Sequence, residues 1–440
     1  MDFVLSKYEN IDKSKNSMEN KFNKYVLFWF SQTISQLGSS MTGFALILWI
    51  YMQNGSAMEV SLMTFFNYIP YIIASMFSGA VVDQYEKKKI LVISDTLIAV
   101  CSGAVFIFCV RNCLQIYHVY ILNFIAGIMK AFQEPASSVI IGKMISKDKI
   151  SQASGLTSFS ANLNMVLTPV FATALFAFCR LDGILIFDLL TFLFAVLILI
   201  FVVEIPEAKT TNSRELLLFR ECKEGLSFLK NHKKIWLIII TMAMLNFFSR
   251  LTYENILSPM ILARSGDDTM VLGVVNAVMG IAGIVGGMIV ASGRALKESV
   301  KMIYLPAIFS FLFGDLLMGL GRNVWMWSLA AVAASLPIPF IIAGQNVILY
   351  DVVPENMQGR VFAVRNAIQY STIPLGILLG GMLADYVFEP MMMVKNEVTG
   401  ILSWIVGNGA GSGMAVMFLC TGLLGSMFSL IAYSKLRKSL

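Results

Sequence analysis

Apolar residues run on along this chain instead of alternating with polar ones. Residues 184–203 hold one acid, Asp188, in an otherwise almost wholly apolar stretch, and similar runs recur from end to end. A run of about 20 apolar residues spans a bilayer as a helix, which pairs its backbone amides internally where no water can. A membrane barrel requires strict alternation, which is absent. Reading each run in this way predicts about twelve helices, at 25–51, 58–82, 89–110, 116–141, 152–178, 183–203, 235–258, 271–292, 300–320, 325–350, 361–386 and 411–433.

The longest internal polar connection lies between the sixth and seventh runs, so the chain divides into a tail at 1–24, a six-helix half at 25–203, a central loop at 204–234, a second six-helix half at 235–433 and a tail at 434–440. A pseudo-repeat of two halves is expected. Lysine and arginine fix the orientation, since loops rich in them stay on the cytoplasmic side. Lys7, Lys13, Lys15, Lys21, Lys24, Lys87, Lys88, Lys89, Lys143, Lys147, Lys149, the cluster at 209–234, Arg294, Lys297, Lys435, Arg437 and Lys438 all fall on one side. Arg111, Arg180, Arg264, Arg322 and Lys395 fall on the other. Both termini and the central loop are therefore expected in the cytoplasm. The tail at 1–24 has mixed charge and reads as a cytoplasmic segment, not a cleavable signal. In the central loop, Leu216, Phe219, Leu226 and Leu229 recur at near-helical spacing beside Arg220, Lys223 and Lys230. That pattern suits a helix on the membrane surface or a solvated linker.

Composition agrees. The 440 residues are 57% hydrophobic and 14% charged, against roughly 45–50% and 25% in ordinary soluble domains. The net charge of +6 reflects the retained cytoplasmic loops, so no nucleic-acid partner is expected. The six cysteines form no CxxC and read as small core residues. With only His118 and His232, a metal site is not expected, and no cofactor is implied. No GxxxxGK[ST] run occurs, so work against a gradient would draw on another gradient or a partner ATPase. No nucleophile or paired catalytic constellation points to an enzyme.

Ionisable residues inside the runs carry more information, because each costs about 2.5–3.5 kcal/mol on insertion scales and so tends to face a wet cavity or a partner. Lys130 and Glu134 stand four apart in the fourth run, and Asn246, Arg250 and Glu254 four apart in the seventh. Each set shares one helix face. Gln32 and Gln36 repeat the spacing in the first run, and Gln345 with Asn346 marks the tenth. These nine are the candidate substrate and proton pathway. Glu134 either couples protons or binds a substrate cation, or it simply neutralises Lys130; Arg250 and Glu254 either meet a polar substrate or pair with each other. Asp95 and Asp188 read as interhelical glue. Residues 387–411, with Trp404 and a glycine-rich end, either cover the outer mouth or are flexible.

The second run ends in Gly79-Ala80-Val81-Val82-Asp83-Gln84-Tyr85-Glu86-Lys87-Lys88-Lys89. This resembles the loop motif of the major facilitator superfamily, G-x-x-x-D-R-x-G-R-[RK], in its usual place between helices 2 and 3. Gly79, Asp83, Lys87 and Lys88 match; Gln84 and Glu86 depart from it, which removes one ion pair and one tight turn. Phe132-Gln133-Glu134-Pro135-Ala136, Gln358-Gly359-Arg360-Val361-Phe362 and Ala384-Asp385-Tyr386-Val387-Phe388-Glu389-Pro390 resemble the drug-exporter branch that includes macrolide-efflux and enterobactin-exporter-like proteins. Leu167-Thr168-Pro169-Val170 lacks the glycines of the helix-5 motif of many antiporters.

The resemblance implies an all-α polytopic membrane fold, with helices 1, 4, 7 and 10 lining a cavity. It also implies proton-coupled export of a lipophilic or amphipathic small molecule, of antibiotic or siderophore class, by a monomer in a bacterial inner or plasma membrane. Uptake or lysophospholipid flipping on the same fold, or a non-transporting receptor, is the alternative. Gly79, Asp83, Lys87, Lys88 and Arg360 are the expected conformational latch, with the Asp83 carboxylate at the N-terminus of helix 11, where the helix dipole favours negative charge.

Overall fold

The computed structural model describes residues 2–144, 150–202, 215–291, 298–354, 357–394 and 396–437. Helix accounts for nearly all of it, and no strand occurs among the described residues. The helices are α1 (Asp2–Asn54), α2 (Ala57–Gln84), α3 (Lys87–Val110), α4 (Ile116–Met144), α5 (Ile150–Phe201), α6 (Glu215–Asn231), α7 (Lys233–Arg250), α8 (Leu257–Ser265) and α9 (Thr269–Ala291). There follow α10 (Ser299–Phe309), a π-helical turn Ser310–Asp315, α11 (Leu316–Leu320), α12 (Val324–Ser335), α13 (Ile338–Val352) and α14 (Gln358–Leu383). A second π-helical turn, Ala384–Phe388, leads into α15 (Glu389–Met393), α16 (Glu397–Val406) and α17 (Ser412–Arg437).

Helical segments fall in every predicted interval, and nine among the described residues are long and apolar enough to cross a membrane. Side chains such as Ile93, Leu190, Phe201 and Leu424 stand exposed on them. So much outward apolar surface is stable only against lipid. The fifth and sixth predicted spans are the two helical arms of α5, separated at Arg180 with φ 54° and ψ −159°. That positive φ lets the chain turn at Arg180 without a loop. The seventh span is interrupted: α7 stops at Arg250 and α8 starts at Leu257.

Two compact units form. The first comprises 1–44, 69–168 and 178–212, and its core gathers Tyr25, Phe28, Leu91, Ile140 and Leu199. The second comprises 45–68, 169–177 and 213–440. Its core has one cluster around Ile303, Tyr304 and Phe311 and another around Leu229, Ile239, Leu349 and Val361.

Several expectations change here. The central-loop helix exists as α6, but Leu229 is fully buried in protein rather than laid on lipid. After His232 the chain turns straight into α7, and α6 packs against α14, which supplies the apolar cover. Residues 387–411 are largely helical: Asn396 and Thr399 form a reciprocal capping box at the start of α16. Its end is held by Arg264, whose guanidinium donates to Val406 O at 2.5 Å and Gly319 O at 3.2 Å. Burial and the neighbouring Arg322 lower the Arg264 pKa, and Glu389 opposes them. Cys113 and Cys179 are exposed, unlike the core position expected of them, while Cys101 is buried; the Cys222 side chain lies outside the described residues.

Candidate functional site

The first unit encloses a cavity of about 310 Å³. Gln32, Gln36 and Ser39 reach it from one face of α1, at the spacing that stacks side chains on successive turns. Asp95 enters from α3, and Lys130, Gln133 and Glu134 from α4. α5 contributes from both arms, Asn164 before the Arg180 break and Asp188 after it.

Asp95 is 7% exposed and accepts the Gln133 amide at 2.5 Å and the Gln32 amide at 3.5 Å. Asp188, 3% exposed, accepts three hydroxyls: Ser39 at 2.9 Å, Thr42 at 3.0 Å and Ser102 at 2.7 Å. Three donors on one carboxylate are what an ionised form demands when water is excluded. The Lys130 ammonium lies within electrostatic reach of both Glu134 and Asp188. Glu134 also accepts the Tyr71 hydroxyl at 2.7 Å. Among the described residues, the cavity wall thus sets three carboxylates, Asp95, Glu134 and Asp188, against one ammonium, Lys130.

Four of the nine pathway candidates, Gln32, Gln36, Lys130 and Glu134, meet in this cavity. Asp95 and Asp188 do bond neighbouring helices, as a glue reading requires, but they also line the cavity. The sequence signal for that second role was present: each is a lone acid in an apolar run. The other five candidates belong to the second unit. Arg250 and Glu254 pair with each other, and Tyr68 donates to Glu254 at 3.2 Å. The Asn246 amide donates to Gln369 O at 3.4 Å. Asn346 accepts from Arg365 at 3.1 Å, a cation that the sequence reading passed over. Gln345 is 7% exposed, and its amide nitrogen meets no acceptor among the described residues.

Of the expected latch residues, Lys87 is buried and Lys88 donates to Ile200 O at 2.8 Å. Gly79, Asp83 and Arg360 fall in α2 and α14, but their side chains lie outside the described residues. Lys89, just beyond the basic pair, bonds Glu86 at 2.9 Å on the surface.

Comparison with known proteins places this arrangement. The chain is 23% identical over 366 residues to macrolide efflux protein A of Streptococcus pyogenes, covering 82% of this chain and 89% of that protein. Over 388 residues it is 24% identical to the multidrug efflux pump Tap of Mycolicibacterium fortuitum, again with 82% and 89% covered. It is 22% identical over 367 residues to the staphyloferrin A transporter of Staphylococcus aureus, with 81% and 89% covered. Among solved structures it resembles nucleoside transporter NupG, with a TM-score of 0.65 at 12% identity over 94% of this chain and 99% of that one. It also resembles a bacterial homologue of the human lysosomal transporter Spinster, with a TM-score of 0.64 at 12% identity over 95% and 98%. Residues 28–376 match the family described as the Major Facilitator Superfamily, and the chain belongs to that family of membrane transporters.

Proposed function

We propose that this transporter is a proton-coupled exporter of lipophilic or amphipathic small molecules, working by alternating access as twelve helices in two halves, 25–203 and 235–433. The observation that carries the proposal is the cavity of the first unit, where three carboxylates outnumber one ammonium. An ionised carboxylate held in a membrane segment is costly unless a cation or a proton neutralises it. A wall with surplus acids therefore suits an exchange in which protons and an amine-bearing amphipath compete for the same oxygens. Relatives named as macrolide and multidrug efflux proteins support export and the antibiotic class. The relative named as a staphyloferrin A transporter supports a siderophore-class cargo as the second reading.

In this reading Gln32, Gln36, Lys130 and Glu134 form the first-unit part of the pathway, and Asn246, Arg250, Glu254, Gln345 and Asn346 the second-unit part. Gly79, Asp83, Lys87, Lys88 and Arg360 latch the cytoplasmic side. The protein sits as a monomer in the cell membrane with both termini in the cytoplasm. The deciding experiment is efflux of lipophilic dyes and antibiotics from cells stripped of their own exporters, with and without a protonophore, beside Glu134→Gln. Protonophore-sensitive efflux that Glu134→Gln abolishes is the expected result. No efflux of any compound by a membrane-inserted protein would transfer the reading to uptake, lipid flipping or a non-transporting role.

A further inference from the structure

A carboxylate at the far end of α14 is bonded to the start of α2, and no resemblance or sequence motif assigned it a task. Asp385 is the second residue of the π-helical turn after α14. One of its oxygens accepts Ser56 Oγ at 2.6 Å and the Met58 amide at 2.9 Å; the other accepts the Ala57 amide at 3.1 Å. The first amides of a helix have no acceptor within it, and they gather the positive end of its dipole. Asp385 therefore acts as a second N-cap for α2, delivered from 328 residues away in sequence. Ser56 is the local cap, accepting the Glu59 amide at 3.2 Å.

Close packing continues the contact along both helices. Gly381, one turn before Asp385, has no room for a side chain: a Cβ there would stand 2.2 Å from Ser61 Oγ and 3.0 Å from Met58 Cα. Asn255 then bridges the pair, its amide donating at 2.6 Å both to Ser61 Oγ and to Ile377 O. All of these residues belong to the second compact unit. Yet Ser56 to Ser61 come from the predicted half 25–203, and Gly381 and Asp385 from the predicted half 235–433. The joined ends are those poor in lysine and arginine, the outer ends by the charge rule. Asp385 and Ser56 are only partly buried. Water can therefore take over the carboxylate when the bonds break, and no bare charge is stranded in lipid.

The geometry points to Asp385 as an outer latch, a positioning residue that holds the start of α2 against the end of α14 and must release it for the outer side to open. This rests on the alternating-access reading above, and it assigns Asp385 rather than the cytoplasmic Asp83 motif to the outer side. The test places one cysteine, Ser40→Cys, on the cavity wall of a chain whose six native cysteines are replaced by serine. Labelling by a membrane-impermeant maleimide is timed from outside in intact cells and from inside in inverted vesicles.

Asp385→Ala should raise outside labelling at least threefold and lower inside labelling. Gly381→Ala, which wedges the same contact apart without touching the carboxylate, should shift both in the same directions. Ser56→Ala, which spares the two backbone bonds, should give a smaller shift. Unchanged labelling in Asp385→Ala overturns the latch, as does a rise from both sides, which means general loosening. Should Asp385→Ala fail to insert, Ser56→Ala and Gly381→Ala decide by the same criterion. Labelling needs no cargo, so an absence of efflux would sink the exporter reading and leave the latch standing, and flat labelling the reverse.

Discussion

Ser102 donates its hydroxyl to Asp188 at 2.7 Å, which ties α3 to the second arm of α5 through a carboxylate that also receives Ser39 and Thr42 from α1. One acid thus anchors two other helices at the cavity wall. Its charge also answers Lys130, so fold and cavity electrostatics depend on the same atoms.

Replacing that acid should expose this double role. Asp188→Leu strands three hydroxyls and leaves Lys130 with less opposing charge, and removing one partner of a buried charge system costs about 3–5 kcal/mol. A large fall in melting temperature in detergent is expected. Lys130→Met in the same chain should restore part of it. If the double variant melts as low as the two losses added together, Lys130 and Asp188 do not compensate each other.

Gln133 is expected to matter through Asp95. A hydrogen bond to a charged group contributes about 1.5–3 kcal/mol, and the 2.5 Å contact from Gln133 is the shorter of the two that Asp95 receives. Gln133→Leu should lower thermal stability, and Gln133→Glu should lower it further at neutral pH, because it sets a like charge beside Asp95. Melting curves of the three proteins would give this order, and equal stability of the two variants would refute the electrostatic account.

Space at Gly38 in α1 is set by the second arm of α5. A Cβ there would lie 2.4 Å from Thr191 Oγ1 and 3.1 Å from Asp188 Cα. Thr191 can rotate away, but the backbone of α5 cannot, so Gly38→Ala should destabilise the protein by about 1–3 kcal/mol. Denaturant or thermal unfolding checks this, and an unchanged midpoint would mean that the two helices separate easily.

Gln345 offers a test of purpose against packing. Its buried amide nitrogen meets no acceptor among the described residues, and a buried unsatisfied donor costs about 1–3 kcal/mol. Gln345→Met should therefore hold or raise the melting temperature. If Gln345 belongs to the substrate pathway, the same change should lower efflux. Loss of stability without loss of transport would assign it to the fold alone.

Much of the architecture was legible along the chain because the bilayer imposes it. Each predicted apolar run coincides with helical segments, since unpaired backbone amides in lipid leave few other solutions. The pathway residues were legible only as exceptions: Lys130, Glu134 and Gln32 stand out as polar groups where polarity is costly. Asp95 and Asp188 carried the same signal, but helix number alone placed them away from a cavity. The break at Arg180 was legible, since the fifth span was expected to end at 178 and the sixth to begin at 183; the α6 packing was not, because it depends on what lies beside it.

The sequence by itself determined that this is a many-helix membrane protein of the facilitator type, because hydropathy, charge asymmetry and short motifs act locally and leave local traces. Only the tertiary structure decided which polar groups meet. Asp188 finds hydroxyls on two other helices, Glu254 finds Arg250 and Tyr68, and Asp385 finds the start of α2. A carboxylate within an apolar run has the same sequence signature whether it cements helices, lines a cavity or caps a distant helix. Its task is fixed by the donors that folding brings within about 3 Å of it.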